Sequence, residues 1–385
     1  MSRAAQIAIF LGISTLLVGS FHYYFWTRLV RDTALPPPFA RIGTLALIAL
    51  AVSIPLAFIL GRVLDRPMAA LSWVAFGWMG LFFLLLVGLV GGELVRIVVA
   101  TVSWAGGTPL DPERRLLLAR SVAGAASAFA TAAGATGLYA TLRPVEVKRV
   151  DVALKKLPRT LDGFTVAVIS DVHLGPTIGA DFMEDVVKRL NALSPDVIAI
   201  AGDLVDGSVQ ELAASAAPLQ KLQAKHGVFF ITGNHEYYSG APEWIAHLRT
   251  LGIRPLENER VTVAGQLELA GCHDLAGRGF GMGHDLDRAL AGFDGSRPLV
   301  LLSHQPKTFP ESARKGVDLQ ISGHTHGGQI WPFGFLVKLQ QGFLAGLSKL
   351  GDAQLYVSRG TGYWGPPMRL GAPAEITHIT LRATA

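Results

Sequence analysis

Two regimes of hydrophobic patterning divide the chain near residue 142. Before it, apolar residues run in long stretches at about 5–26, 42–61, 70–92 and 116–140. Each is close to the ~20 residues that carry a helix across a bilayer. The run from Leu71 to Gly92 contains no charge. The fourth stretch, SVAGAASAFATAAGATGLYA, is weakly hydrophobic, but small residues at helical spacing suit close helix–helix packing. A cleaved signal peptide is the rival reading of the first stretch, and it leaves three unexplained. Residues 94–104 either extend the third helix or lie in the interface.

From about 160 the pattern becomes short apolar runs alternating with amphipathic segments, which predicts α/β architecture. The runs are TVAVIS (165–170), VIAIAG (197–202), VFFITG (228–233), LVLLS (299–303) and LQIS (319–322). DFMEDVVKRLNALSP and ELAASAAPLQKLQAK, lying between the first three runs, read as helices. Residues 143–159, RPVEVKRVDVALKKLPR, read as a basic connector into a soluble domain.

Composition sharpens this division. The chain is 50% hydrophobic and 16% charged, too apolar for an ordinary soluble protein. Residues 1–142 hold ten Arg, no Lys and five acids, so the whole net charge of +5 resides there. The remainder is balanced and offers no basic patch for nucleic acid, so no nucleic-acid partner is expected. Basicity instead marks segment ends. With four crossings, Arg3, Arg62, Arg66, Arg143, Lys148, Arg149, Lys155, Lys156 and Arg159 share one side. Arg28, Arg31, Arg41, Arg96, Arg114 and Arg115 share the other. The majority predicts a multi-pass protein of the cell (inner) membrane with its C-terminal domain in the cytoplasm. Cys272 is the only cysteine, which excludes an intrachain disulfide and fits a reducing compartment.

Each of the five apolar runs ends in polar residues suited to metal. Asp171 and His173 follow the first, Asp203 the second, and Asn234, His235 and Glu236 the third. His304 follows the fourth, and His324 and His326 the last. Open α/β sheets build their sites at the carboxyl ends of strands, so the five clusters are expected to converge. In extended chain, residues i and i+2 share a side. That predicts Asp171 with His173 on one cation, and His324 with His326 on one. Asp203 has two oxygens and can bridge two metals. Imidazole nitrogen with carboxylate oxygen suits Mn, Fe, Zn or Co better than Ca. Two such metals roughly 3.5–4 Å apart can clamp a phosphate and activate a water for in-line attack. Singly, each motif is common: Gly-Asp is usually a turn, and GNHE can be a helix cap. All five in order, each after a buried-strand pattern, are another matter. The histidines outside these clusters, His22, His226, His247, His273, His284 and His378, read as surface or structural.

SDVHLG, GDLVDG, GNHEYY, LLSHQP and GHTHGGQ together resemble the signature blocks of the calcineurin-like metallophosphoesterases. GHTHGGQIWPF and YVSRGTGYWGPPMRLGAPAEITHITL resemble its membrane-associated bacterial branch, which includes the YaeI- and YkuE-type phosphodiesterases. The leader is similar to that of the transmembrane protein with metallophosphoesterase domain of vertebrates. The resemblance covers about 150–382. It implies a four-layer αββα sandwich behind a four-helix transmembrane region. It also implies Asp171, His173 and His326 on a first metal, Asn234, His304 and His324 on a second, and Asp203 on both. His235 is implied to stabilise the phosphoryl transition state or to protonate the leaving oxygen.

Many relatives carry Asp-Asp where this chain has His273-Asp274, which bears on substrate contacts. The glycine-rich stretch 271–283, with Arg278 and Asp274, is a candidate phosphate contact or a mere surface loop. The apolar stretch 330–350 either covers the site, enters the lipid interface or is ordinary packing. The expected domains are a transmembrane anchor (1–142), the connector (143–159) and a metallophosphoesterase domain (160–385). The expected activity is hydrolysis of phosphomonoesters or phosphodiesters by a membrane-bound dinuclear-metal enzyme. A lipid-linked substrate fits the anchor, and a nucleotide-diphospho-lipid is its sharpest form by family analogy. The alternative is a membrane signalling or transport protein with a metal-binding sensor domain. That would require intramembrane charges lining a path, whereas Glu93 and Arg96 are expected at a segment end.

Overall fold

A computed structural model describes residues 3–63, 68–107 and 110–384. The chain divides into two compact units, residues 1–137 with 365–367 and residues 138–364 with 368–385.

Among the described residues the first unit is built from helices: α1 (Arg3–Trp26), α2 (Pro37–Val63), α3 (Ala69–Ala105) and α4 (Pro112–Leu142), with a short π-helical turn at Thr27–Arg31 after α1. All four expected segments are therefore helices. Among the described residues three spans are long and apolar enough to cross a membrane: Pro37–Ala57, α3 and α4. Several side chains of α1 lie outside the described residues. The small residues of α4 do bring helices close. A Cβ on Gly88 of α3 would stand 3.1 Å from Ala126 of α4. His22 is structural, buried and accepting from Trp78 Nε1 at 2.9 Å.

Residues 94–104 continue α3, because nothing at Gly91–Gly92 breaks its hydrogen-bond ladder. Glu93 and Arg96 therefore lie inside a continuous helix, which does not end with the charge-free run before them. Arg28 compensates Glu93 (Nε to Oε1, 2.8 Å), while Arg96 stands only at ion-pair distance from Asp32 and Glu93.

The second unit holds two six-stranded sheets. The first contains β1 (Glu146–Leu154), β2 (Thr165–Ile169), β3 (Val197–Ala201), β4 (Val228–Ile231), β5 (Arg254–Pro255) and β12 (Glu375–Ala383), in spatial order β1-β12-β2-β3-β4-β5. The second contains β6 (Glu259–Val263), β7 (Leu267–Gly271), β8 (Leu299–Leu302), β9 (Leu319–Ser322), β10 (Gly346–Leu350) and β11 (Ala353–Val357), in spatial order β10-β11-β9-β8-β7-β6. β2 to β5 run parallel, as do β7, β8, β9 and β11.

Alternation of side chains along each strand builds the layers. Val166, Val168, Ala199 and Ile231 of the first sheet meet Leu269, Val300, Leu302 and Ile321 of the second in one core. On the outer face of the first sheet, Ile169, Ile198, Ile200 and Phe230 pack on α5 (Ala180–Ala192), α6 (Val209–Ala216) and α8 (Ala241–Thr250), which follows the short α7 (Asn234–Ser239). On the second sheet's outer face, Leu299 and Leu301 pack on α9 (Leu286–Ala289), and Leu355 on Phe309 of α10 (Phe309–Arg314). The four-layer αββα sandwich is therefore as expected. The second predicted helix ends early, at Ala216, where Pro218 turns the chain into a 3₁₀ segment.

Most of the expected connector is part of the sheet. Residues 146–154 are β1, paired in parallel with β12 along their whole length. β1 is an edge strand exposed over most of its length, so its charged residues face water and conceal its strand character.

Candidate metal centre

The five apolar runs are β2, β3, β4, β8 and β9, and the polar residues after them converge. Parallel pairing carries on past the strand ends: Asp171 N donates to Gly202 O (3.0 Å) and His173 N to Asp203 O (3.2 Å). Asp171, His173 and His326 have ligand atoms all within 4.8 Å of one another, as do Asp203, His304 and His324. A third group, His173, Asp206 and His235, meets the same limit.

The backbone here is not extended. Asp171, His173, Asp203, His324 and His326 have φ of +53°, +54°, +52°, +70° and +51°. These are left-handed conformations that non-glycine residues adopt at a cost of order 1–3 kcal/mol. The i, i+2 argument therefore reached Asp171 and His173 for the wrong reason. It fails for His324 and His326, whose rings belong to different groups. Left-handed turns aim successive side chains differently from the pleat of a strand.

Glycines permit the approach of these turns. A Cβ on Gly233 would overlap Asp203, and one on Gly323 would overlap Ser170 and Asp171. This is the physical reason for Gly before Asn234 and before His324.

The second layer of contacts fixes ring orientations. His304 Nδ1 lies 2.7 Å from the carbonyl of Ala201, to which it must donate, so Nε2 is turned toward Asp203 Oδ2 at 3.1 Å. Asp206 Oδ1 accepts from His173 Nδ1 at 3.0 Å and from His235 Nδ1 at 2.6 Å. His173 Nε2 is 3.0 Å from His326 Nε2; two imidazole nitrogens this close share one proton or one cation. Backbone N–H groups hold the carboxylates: His324 N donates to Asp171 (2.8 Å), and His235 N to Asp203 (2.9 Å).

Charge is strongly perturbed. Burial opposes ionisation of Asp203, but His304, His235 and His173 hold its pKa well below the usual carboxylate range. Burial also opposes charge on His304, and Asp203 outweighs it, lifting its pKa well above the usual imidazole range. Burial and the His304 charge push His324 down to about 3. Burial and His173 hold His326 well below its usual value, so both rings stay neutral. His235 is raised to about 9: burial opposes charge there, and the Asp206 hydrogen bond and the Asp203 charge overcome it.

These residues fit metal ions. Asp171 Oδ2, Asn234 Oδ1, His304 Nε2 and His324 Nδ1 are each buried without a hydrogen-bond partner. A buried acceptor left unpaired costs roughly 1–3 kcal/mol. Asp171 Oδ2, Asn234 Oδ1 and His324 Nδ1 offer lone pairs, and His304 Nε2 offers one once it gives up its proton; Asp171 lies in one group and His304 and His324 in another, as a pair of cations would require.

The two peripheral candidates do not join these groups. Asp274 is buried, but its carboxylate is engaged by Gln305 Nε2 (2.9 and 3.0 Å) and caps Ala276 N (2.8 Å). Arg278 is exposed on a 3₁₀ turn (275–280). Sequence reasoning missed three residues. Asp206 is one, the second acid of GDLVDG. Glu236, counted there among the polar residues suited to metal, is instead a fully buried carboxyl. It accepts from Asp203 N (3.0 Å), Leu204 N (2.7 Å) and Gly233 N (2.5 Å), with a pKa raised to about 7 by burial and by Asp203. Arg369 is the third, fully buried, with Nη2 3.3 Å from His326 Nδ1 and Nη1 donating to the carbonyls of Arg359 and Ala372. No spacing signal marks it, because it lies 43 residues beyond His326.

The calcineurin-like phosphoesterase family profile matches residues 164–328. The chain is 34% identical to the transmembrane protein with metallophosphoesterase domain of Bos taurus, covering 98% of this chain and 89% of that one. It is 40% identical to an uncharacterized metallophosphoesterase of Helicobacter pylori over 64% of this chain and 66% of that one. It is 30% identical to the uncharacterized metallophosphoesterase YkuE of Bacillus subtilis over 70% of this chain and 98% of that one. Taken with the convergent histidines and carboxylates, this places the chain in the calcineurin-like metallophosphoesterase family, as a metal-dependent hydrolase of phosphoric esters.

Proposed function

We propose that residues 1–142 anchor this protein in the cell membrane and that the domain behind them cleaves phosphomono- or phosphodiester bonds at two divalent transition-metal ions. The observation that carries this reading is the set of four buried ligand atoms without a hydrogen-bond partner, on Asp171, Asn234, His304 and His324. Asp171, His173 and His326 would hold one ion, Asn234, His304 and His324 the other, and Asp203 both. The donors suit Mn, Fe, Zn or Co. Such a pair would neutralise charge on the phosphoryl oxygens and acidify an attacking water.

The chain's own groups supply the rest. Neutral His324 and His326 keep lone pairs free at physiological pH. Asp206 fixes two rings at once, His173 as a ligand and His235 as a proton donor. His235, raised to about 9, carries its proton at neutral pH and can pass it to the leaving oxygen. Glu236 ties the loops after β3 and β4 together through three backbone N–H groups.

Hydrolysis of aryl phosphate monoesters and diesters by the full-length protein tests the reading. Mn-supplemented protein turns over at least one class, and chelated protein turns over neither. His235→Ala keeps its metal and loses about 10²–10⁴-fold in turnover. Asp206→Asn weakens metal affinity as well, by about 10–100-fold, because it releases a ligand ring. Elemental analysis beside the rate measurement separates the two variants. Metal loss in His235→Ala would make that residue a ligand and not an acid.

We infer further that the substrate is lipid-linked. Supporting this, Trp331, Phe333, Phe335, Leu336, Leu339, Leu347 and Leu350 are exposed on and around α11 (Gly334–Gln341) and β10. Ile330 and Phe343 pack inward. No acid occurs from residue 319 to 351, while Lys338 and Lys349 do, which suits an anionic lipid surface. Exchanging Trp331 and Phe335 for Ser is expected to slow hydrolysis of a lipid phosphoester more than that of an aryl phosphate. Equal losses on both would leave the segment no role in substrate choice.

The balance of Lys and Arg supports a cytoplasmic catalytic domain, nine against six. Fusions after Leu142 are expected to fluoresce with green fluorescent protein and stay inactive with alkaline phosphatase. The reverse pattern would place the domain outside.

A further inference from the structure

The helical unit contains a charged cluster that its apolar composition conceals. Arg28 donates to Glu93 of α3 through Nη2 (3.0 Å) and to Asp32 through Nη1 (2.8 Å), with Nε at ion-pair distance from Glu93 (2.8 Å). Tyr24 donates to Glu93 at 3.1 Å, and Arg31 Nε reaches Asp32 at 3.0 Å. Both carboxylates are thus engaged before Arg96 is reached. Arg96 Nη1 stands 3.7 Å from Asp32 and 3.9 Å from Glu93, at ion-pair distance only. Its Nε and Nη2 are shielded from water and have no hydrogen-bond partner among the described residues. An anion beside the helices can therefore meet this guanidinium only at Nη1.

Beside Arg96 lies a cavity of about 450 Å³, lined by Asp32, Arg96 and Arg115 on its polar side and by Pro112, Leu116, Leu118 and Ala119 on its apolar side. Arg28, Arg31, Arg96 and Arg115 outnumber Asp32 and Glu93, so the cluster is positive. Asp32 also faces the cavity, but Arg28 and Arg31 hold its two oxygens, which limits its repulsion of an anion.

The depth of the cluster is informative. At ~1.5 Å per residue, Glu93 lies ~36 Å along α3 from Ala69, beyond a hydrocarbon core of ~30 Å. That is headgroup level for a helix that enters the bilayer near its first residue.

We propose that this cavity binds a phosphate-type anion, with Arg115 and Arg96 Nη1 as its donors. The phosphate belongs to a lipid headgroup or to free inorganic phosphate. The Leu116 and Ala119 wall and the headgroup depth favour the lipid. Nothing in the metal centre takes part, since every residue named belongs to the helical unit.

Native mass spectrometry of the full-length protein in neutral detergent tests this. Dioleoyl phosphatidylglycerol is expected to give one tightly retained molecule, and phosphate-free diolein none. Arg96→Gln and Arg115→Gln should each weaken retention about tenfold, the cost of one charge-assisted partner. Inorganic phosphate that displaces the lipid would identify the free anion as a ligand too, and failure to displace it would leave the lipid as the sole source. Equal retention of diolein, or unchanged retention in both variants, would overturn the site. Should Arg96→Gln fail to fold, the exposed Arg115 decides alone: wild-type retention in Arg115→Gln refutes the proposal.

Discussion

Asp171 and Asp203 are carboxylates sealed from water at the carboxyl ends of β2 and β3, and the rest of the catalytic unit is organised around making that bearable. An isolated buried ion costs several kcal/mol even after relaxation. Here the compensation comes from three sources. Backbone N–H groups of His235 and His324 donate to the two carboxylates, and His304 faces Asp203 from the neighbouring sheet. Asp206 then anchors the rings that face them. The lone pairs that remain unpaired are those a pair of cations would use.

This demand explains the distorted backbone. Half of the ten non-glycine residues with positive φ among the described residues are expected metal ligands. The sandwich absorbs that strain because both faces of its central strands are buried. Five consecutive residues of β3, Val197 to Ala201, are fully buried, so the turn that follows has no freedom to relax. Glu236 adds a rigid tie among the backbones at Asp203, Leu204 and Gly233. Strain, glycines and buried carboxyl are thus consequences of one requirement, that charge converge where water is excluded.

The central strands were legible because strands buried on both faces read as unbroken apolar runs, and each of these ends in its ligands. β1 was not legible, because an edge strand with charged residues facing solvent looks like a linker. For residues 94–104 the sequence left two readings open, and the structure takes the one in which they extend α3. Asp206 was hidden because its role is to hold two imidazoles that come from different loops. Arg369 was hidden because its partners are carbonyls and one ring far away in sequence. Residues that touch the centre are betrayed by type and spacing, whereas residues that position them are visible only in three dimensions.

The central claim is that these convergent groups hold two ions with Asp203 between them. Elemental analysis of the full-length protein, reconstituted with Mn and freed of loosely bound metal, tests it most directly beside the Asp203→Asn variant. The account predicts two ions per chain in the wild type and at most one in Asp203→Asn. One ion or fewer in the wild type, or two retained in the variant, would contradict it.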